Sequence, residues 1–248
     1  MKPFHKDFIL DKINNYKRYI KEQEIGQYRI KYSNYTQEES SYLYKEDNMY
    51  NIETPALYCG EDKIMHLHPK EIQGSYEAIK MARGRVGIVG LGLGYIAREI
   101  ASKENVSEVI VYEISNEVIE MYNNNFDYND KIKIICGNAY EAKREQFDYF
   151  YVDLYNYTLG DRVVEDYVIF NELHDIEEYA FWGIEHFLLS CRYDEIVWVY
   201  IPENWMTMSK SISSSLDSAG LMDKYVPLEP EFVSDLLAKF KIVLNEED

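Results

Sequence analysis

The sequence predicts an α/β protein: a doubly wound, mostly parallel sheet with a small N-terminal appendage of helix and β-hairpin. Three observations predict it. From Arg85 onward, short apolar runs alternate with amphipathic stretches, the pattern of strands joined by crossover helices. The first of those runs passes into the glycine-rich stretch VGIVGLGLGYIA, Val86 to Ala97. Hydrophobic residues make up 46% of the 248, enough to bury a sizeable core.

Taken in order, residues 5–24 read as an amphipathic helix, with Phe8, Ile9, Ile13, Tyr16 and Ile20 at mostly helical spacing. A polar, tyrosine-rich stretch without a single period follows to Asn51. PALYCGEDKIMHLHP reads as two short strands about a turn at Gly60, Glu61 and Asp62, and EIQGSYEAIKMA as a helix ending before Gly84. RVGIVGL, EVIVYEI, KIKIICGNA and FDYFYVDLY are then four strands. YIAREIASKE and NEVIEMYNNNF are helices between them, and YEAKREQ is a short helix or turn. The span from Asp161 to Ser190 reads as one long helical region, EIVWVYIP as a fifth strand, and TMSKSISSSLDSAG as a helix stopped by Gly220. FVSDLLAKFKIVL reads as a helix running into a last strand. The texture changes near residue 80, which divides an appendage (1–80) from the doubly wound domain (81–248).

The formal net charge of −18 opposes a phosphate backbone, so nucleic acid is not the expected partner, and cationic small molecules are favoured electrostatically. Cys59, Cys136 and Cys191 are widely spaced with no CxxC, which fits a reducing cytoplasm better than a disulfide framework or a structural zinc site. Charges interrupt the N-terminal segment every few residues, and no apolar run is long enough to span a bilayer, so the expectation is a cytoplasmic protein without a membrane partner. A homo-oligomer is compatible with all of this.

Gly90, Gly92 and Gly94 alternate where the first strand must turn sharply into a helix, and lacking Cβ they let a ligand approach the backbone. Dinucleotide binding prefers G-x-G-x-x-G/A. Counted from Gly90, the sixth position is Tyr95, too large for the close helix–strand packing needed there. Counted from Gly92 it is Ala97, which fits but moves the turn by two residues. Glu113 ends the second strand, where a carboxylate can accept hydrogen bonds from two ribose hydroxyls. Cys136-Gly137-Asn138-Ala139 ends the third strand, and Phe147 to Asp153 forms the fourth.

In this order and spacing, over about seventy residues, the glycine turn, Glu113, Asn138 and Asp153 resemble the class I S-adenosylmethionine-dependent methyltransferases. The resemblance implies a Rossmann-like fold with S-adenosylmethionine on Gly90, Gly92 and Gly94. It places the ribose on Glu113 beside Ile114, the adenine on Asn138 beside Ala139, and Asp153 at the reacting centre. Within that superfamily, VYEISNEVIEMYNNNF is similar to the spermidine synthase branch, as is, more loosely, the hairpin and helix from Ala56 to Glu77 with Tyr76 and Glu77. That branch implies aminopropyl transfer from decarboxylated S-adenosylmethionine. It usually reads D-S-S-D or D-S-T-D after the fourth strand, whereas this chain has Asp153-Leu154-Tyr155-Asn156, and an amide at Asn156 cannot serve as a base.

The expected activity is therefore methyl transfer to a small-molecule acceptor, a cationic amine among the candidates, with Asp153 and Tyr155 as catalytic residues. Aminopropyl transfer is the alternative, and a binding protein that keeps the fold without turnover is a third reading. No proline follows Asp153 and no cysteine follows a proline, so the DNA amino- and C5-methylation motifs are missing. His66 with His68, and Glu172 with His174 and Asp175, lack a ligand spacing that reaches a third partner, and no metal is expected. Asp161, Glu165 and Asp166 follow the fourth strand, where they can attract a cation.

Overall fold

The computed structural model describes residues 2–46 and 51–245. The end of the tyrosine-rich stretch, residues 47–50, and the terminal residues 246–248 lie outside them. Helix α1 (Lys6–Tyr16) buries Ile9, Ile13 and Tyr16, one stripe at spacings of four and three. It ends at Tyr16, well short of residue 24. The chain then builds β1 (Gln23–Ile25), β2 (Tyr28–Ser33), β3 (Thr54–Cys59) and β4 (Asp62–His66), an antiparallel sheet in chain order. Strand β2 lies in the stretch whose sequence shows no period. The single helix expected before Gly84 is two short ones, α2 (Pro69–Gly74) and α3 (Tyr76–Met81), that meet at Ser75. The Ser75 hydroxyl donates back to the Glu71 carbonyl at 2.7 Å, a local bond that competes with helix continuation.

Next come β5 (Gly84–Val89), α4 (Tyr95–Ala101), β6 (Val106–Glu113), α5 (Asn116–Asn125), β7 (Ile132–Cys136), a single 3₁₀ turn at Ala139–Glu141, β8 (Gln146–Phe147) and β9 (Tyr149–Val152). Val86 to Val89 and Tyr149 to Val152 are buried at every position, the signature of a parallel sheet covered on both faces. The pairings β5–β6, β6–β7 and β5–β9 are all parallel.

The C-terminal third departs from expectation. Asp161 to Ser190 is not one helical region but α6 (Arg162–Leu173), β10 (Asp175–Ile176), β11 (Tyr179–Phe181) and α7 (Ile184–Ser190). Tyr179, Ala180 and Phe181 are all buried, and they pair with Phe150, Tyr151 and Val152 as the fifth strand of the parallel sheet. Its order is β11-β9-β5-β6-β7, the doubly wound α/β arrangement expected. With β11 holding the place beside β9, EIVWVYIP is excluded from the sheet. It forms α8 (Tyr193–Val197) and a turn that leaves Trp198 and Tyr200 exposed. Helix α9 (Glu203–Ser218) is stopped as expected before Gly220, whose φ is +69°. Helix α10 (Pro230–Asn245) does not pass into a strand: Val233, Leu236, Leu237 and Phe240 form one buried helical stripe.

The N-terminal elements and the parallel sheet share one continuous apolar core. Among the described residues no helix is long and apolar enough to cross a membrane, and Cys59, Cys136 and Cys191 are unpaired.

Gly87, in the middle of β5, leaves room for the rings of β9 and its neighbour: a Cβ there would lie 2.3 Å from Phe150 Cδ2 and 3.1 Å from Phe147 Cδ1. Gly87→Ala is expected to cost about 1–3 kcal/mol through overpacking. Gly137→Ala, with nothing within 4 Å of its added methyl, should stay within about 0.5 kcal/mol of the parent in urea unfolding.

Candidate functional site

Successive crossovers leave β5 toward β6 and β7, and the chain then returns to β9 and β11 on the other side. The crevice of a doubly wound sheet opens at that reversal, outside the carboxyl ends of β5 and β9. A cavity of about 220 Å³ lies there. The glycine turn supplies Gly90, Leu91 and Gly92, the end of β6 supplies Glu113 and Ile114, and the end of β9 supplies Asp153 and Leu154. Leu57, Ile64 and Met65 of the β3–β4 hairpin close the opposite wall.

The turn is shaped by backbone and carboxylate together. Gly90 has φ +98°, and a Cβ on it would meet the Asp153 carbonyl at 2.8 Å, so the close approach of the β5 and β9 ends depends on glycine there. The Leu91 N–H donates to Glu113 Oε2 at 3.1 Å and the Ser115 N–H to Glu113 Oε1 at 2.9 Å. Glu113 thus fixes the turn and still has lone pairs facing the cavity. The Leu93 N–H points at Met65 Sδ, 3.3 Å away. With the Gly90 and Gly94 N–H groups donating to the Tyr112 and Leu91 carbonyls, four of the turn's N–H groups are occupied, and Glu71, Glu113 and Asp153 line the same cavity. A pyrophosphate would meet three carboxylates there, and no lysine or arginine among the described lining residues. The arrangement suits a ligand that carries positive charge and no phosphate.

Asp153 and Glu71 both line this cavity. Burial pushes the Asp153 carboxyl up to about 7. Burial, and then the neighbouring Asp153 charge, hold the Glu71 carboxyl well above the ordinary carboxylate range. Glu71 is buried, and its Oε1 has no hydrogen-bond partner in the protein. Tyr157 faces the same pair and donates its hydroxyl to the His66 carbonyl at 3.2 Å. Asn156 and Tyr157, at φ +44° and +61°, form two successive left-handed residues without glycine, a strained turn that aims the Tyr157 ring at the hairpin.

Of the residues singled out from sequence, Gly90, Gly92, Glu113, Ile114 and Asp153 line this cavity, and Gly94, Asn138, Ala139 and Tyr155 do not. Gly94 caps α4 at φ +79°. The Asn138 side chain caps its own 3₁₀ turn, accepting from the Tyr140 N–H at 3.2 Å and donating to Glu141 at 3.0 Å. Tyr155 and Tyr140 donate to the two oxygens of buried Asp166 at 2.9 and 2.7 Å, which ties α6 to the sheet edge. Asp161 pairs with Lys239 at 2.7 Å, and Glu165 lies on the exposed side of α6. The Tyr76 ring packs on Phe8, and Glu77 pairs with Lys80 and Ser211.

Sequence reasoning missed Glu71 and Tyr157. The signal for Glu71 was local: His68 caps α2, Pro69 opens it, and the Glu71 N–H donates to His68 Nδ1 at 2.9 Å, which buries the third residue of the helix. Nothing local marks Tyr157, whose position follows from the turn after β9.

His66 and His68 meet Glu39, their candidate ligand atoms all lying within 4.8 Å of one another. The proton arrangement makes this a hydrogen-bond network. Because His68 Nδ1 accepts from Glu71, its proton sits on Nε2, which faces Glu39 Oε1 at 3.6 Å and has no lone pair for a metal. Lys63 pairs with Glu39 and lies 3.2 Å from His66 Nδ1, so a cation already serves the carboxylate. Burial acts upward on Glu39 but is outweighed by hydrogen bonds from His66 and Lys63, which hold its carboxyl well below the usual range. His174, expected near Glu172 and Asp175, is buried against Tyr112, Phe147 and Phe150.

Ionising Asp153 in the folded chain is unfavourable, so the folded state binds its proton more tightly than the unfolded one between about pH 4 and pH 7, and stability falls as pH rises through that window. Asp153→Asn is expected to flatten the stability–pH profile, with its advantage over the parent largest at about pH 8 and smallest near pH 5 by urea unfolding. Parallel profiles for the two proteins would show that Asp153 is not held protonated.

No family model and no curated protein matches this sequence. Solved structures do match over part of the chain. Spermidine synthase from Thermotoga maritima is 17% identical over 53% of this chain and 45% of its own, with a TM-score of 0.34. A candidate RNA methyltransferase from Pyrococcus horikoshii is 19% identical over 40% and 52%, with a TM-score of 0.32. Precorrin 8W decarboxylase from Methanobacterium thermoautotrophicum is 18% identical over 40% and 56%, with a TM-score of 0.31. The matched region spans about half the length of each.

Proposed function

We propose that the protein transfers a group from an S-adenosyl sulfonium to a small cationic amine. One observation carries the reading: a ribose-competent carboxylate, Glu113, and two further carboxylates, half-buried Asp153 and buried Glu71, lie along one cavity at the reversal point of the sheet. The donor set fits such a cofactor. Glu113 offers free lone pairs to two ribose hydroxyls, Ile114, 72% exposed, offers an apolar surface for a purine, and the unpartnered Glu71 Oε1 seeks a cation or donor.

The bound cofactor supplies an electrophilic carbon whose bond to sulfur breaks as the sulfur leaves neutral. The chain's own part is to bind, orient and deprotonate. Asp153, with Glu71 beside it, attracts the ammonium form of the acceptor. An ammonium has no lone pair, so one carboxylate must take a proton before nitrogen attacks. Asp153, held near 7, is matched to that task at neutral pH. Glu71 lines the same cavity as Asn156 and offers a second carboxylate where the branch motif has an Asp and this chain an amide.

Methyl transfer from S-adenosylmethionine is the first reading. Aminopropyl transfer from decarboxylated S-adenosylmethionine is favoured by a separate observation: with no lysine or arginine among the described lining residues, the cavity has no counter-charge for the methionine carboxylate. Titration calorimetry with the two cofactors decides between them, and binding of neither removes both. With the better cofactor and a panel of diamines, turnover is expected to rise as pH passes through about 7, and Asp153→Asn and Glu71→Gln should each lower kcat by about 10²–10⁴-fold. Unchanged kcat in Glu71→Gln would remove Glu71 from the chemistry.

A further inference from the structure

A second groove, of about 790 Å³, lies between α7, α8 and α9. Its walls are apolar: Leu188, Leu189, Ile196, Val197, Met206 and Met222. Beside them Tyr193 is 83% exposed, Trp198 69% and Tyr200 80%. Large aromatic and methionine side chains clustered in the open mark a contact face, because a monomer gains nothing by holding them in water. In a chain of net charge −18, the only charged side chains among the described lining residues are Lys210 and Asp217, and neither forms an ion pair among the described residues.

We propose that this groove is the contact face of a two-fold dimer of the chain itself. The opposite signs of those two charges point to the occupant, a second copy that presents the same pair. Lys210 and Asp217 lie on the outer face of α9, opposite its buried Trp205, Met208, Ile212 and Leu216. They are symmetric about the midpoint between Ser213 and Ser214, each about 5 Å from it along the axis at 1.5 Å per residue. Two copies of α9 packed antiparallel about that midpoint set Lys210 against the partner's Asp217 and Asp217 against the partner's Lys210. A two-fold contact needs such reciprocity, residue i meeting j and j meeting i. Ser213 and Ser214 at the crossing are small enough for the helix axes to come close. The patch also joins exposed aromatic rings, Tyr193 and Trp198, to an apolar hollow. The remaining negative charge is spread over the rest of the chain and is screened beyond about 8 Å at physiological salt.

Sedimentation velocity on the full chain at roughly 10–100 μM in about 0.15 M salt is expected to show a species of twice the chain mass. Lys210→Asp and Asp217→Lys, each creating two like-charge contacts across the two-fold, should each weaken the dimer at least tenfold. The double reversal K210D/D217K should restore it. Both positions are exposed, so unchanged far-UV circular dichroism separates dissociation from misfolding. A monomer throughout this range, a dimer indifferent to the single reversals, or a double variant no better than the singles overturns the proposal.

Discussion

The Glu113 carboxylate accepts two backbone N–H groups, from Leu91 and Ser115, and in doing so joins the turn after β5 to the end of β6. Much of the site depends on that bridge. It holds the glycine turn open at the reversal point, consumes an N–H that a phosphate would otherwise use, and brings one negative charge to the cavity. The turn can comply because Gly90 reaches φ +98° and lets the end of β9 approach without a side chain between. Asp153 follows directly on β9, so the same close approach sets the distance between the Glu113 and Asp153 carboxylates.

Charge placement distinguishes the cavity. Three carboxylates face it, two of them raised by burial. Holding unpaired carboxylates out of water is unfavourable, and the cost is relieved either by a proton or by a cation. A sulfonium and an ammonium both supply that relief, and a pyrophosphate adds to the strain. The nearby Glu39 network shows the opposite solution, a carboxylate satisfied internally by Lys63 and His66, with His68 facing it. Glu39 is satisfied within the protein, whereas one Glu71 oxygen is left without a hydrogen-bond partner at the cavity.

The parallel core was legible because its strands are buried on both faces and so read as continuous apolar runs, with glycines marking the turn. Glu113 and Asp153 were legible because each ends such a run. The C-terminal third was not. EIVWVYIP has the composition of a strand, yet β11 takes the sheet position from within a span that reads as helix, and propensity yields to that tertiary competition. Tyr155 reads as a pocket residue by its place after Asp153, but the buried carboxylate of Asp166 draws its hydroxyl away. Glu71 was missed because its role arises from a hairpin folding over a distant turn, and Tyr157 because two residues in left-handed conformation reverse the chain where no glycine announces it.

A crystal structure with 5′-methylthioadenosine, the nucleoside portion common to both cofactors, tests the central claim most directly. Both ribose hydroxyls are expected on the Glu113 carboxylate, the purine against Ile114, and the thioether sulfur turned toward Asp153 and Glu71. A nucleoside bound away from Glu113, or a cavity still closed by Met65 at saturating concentration, would contradict it.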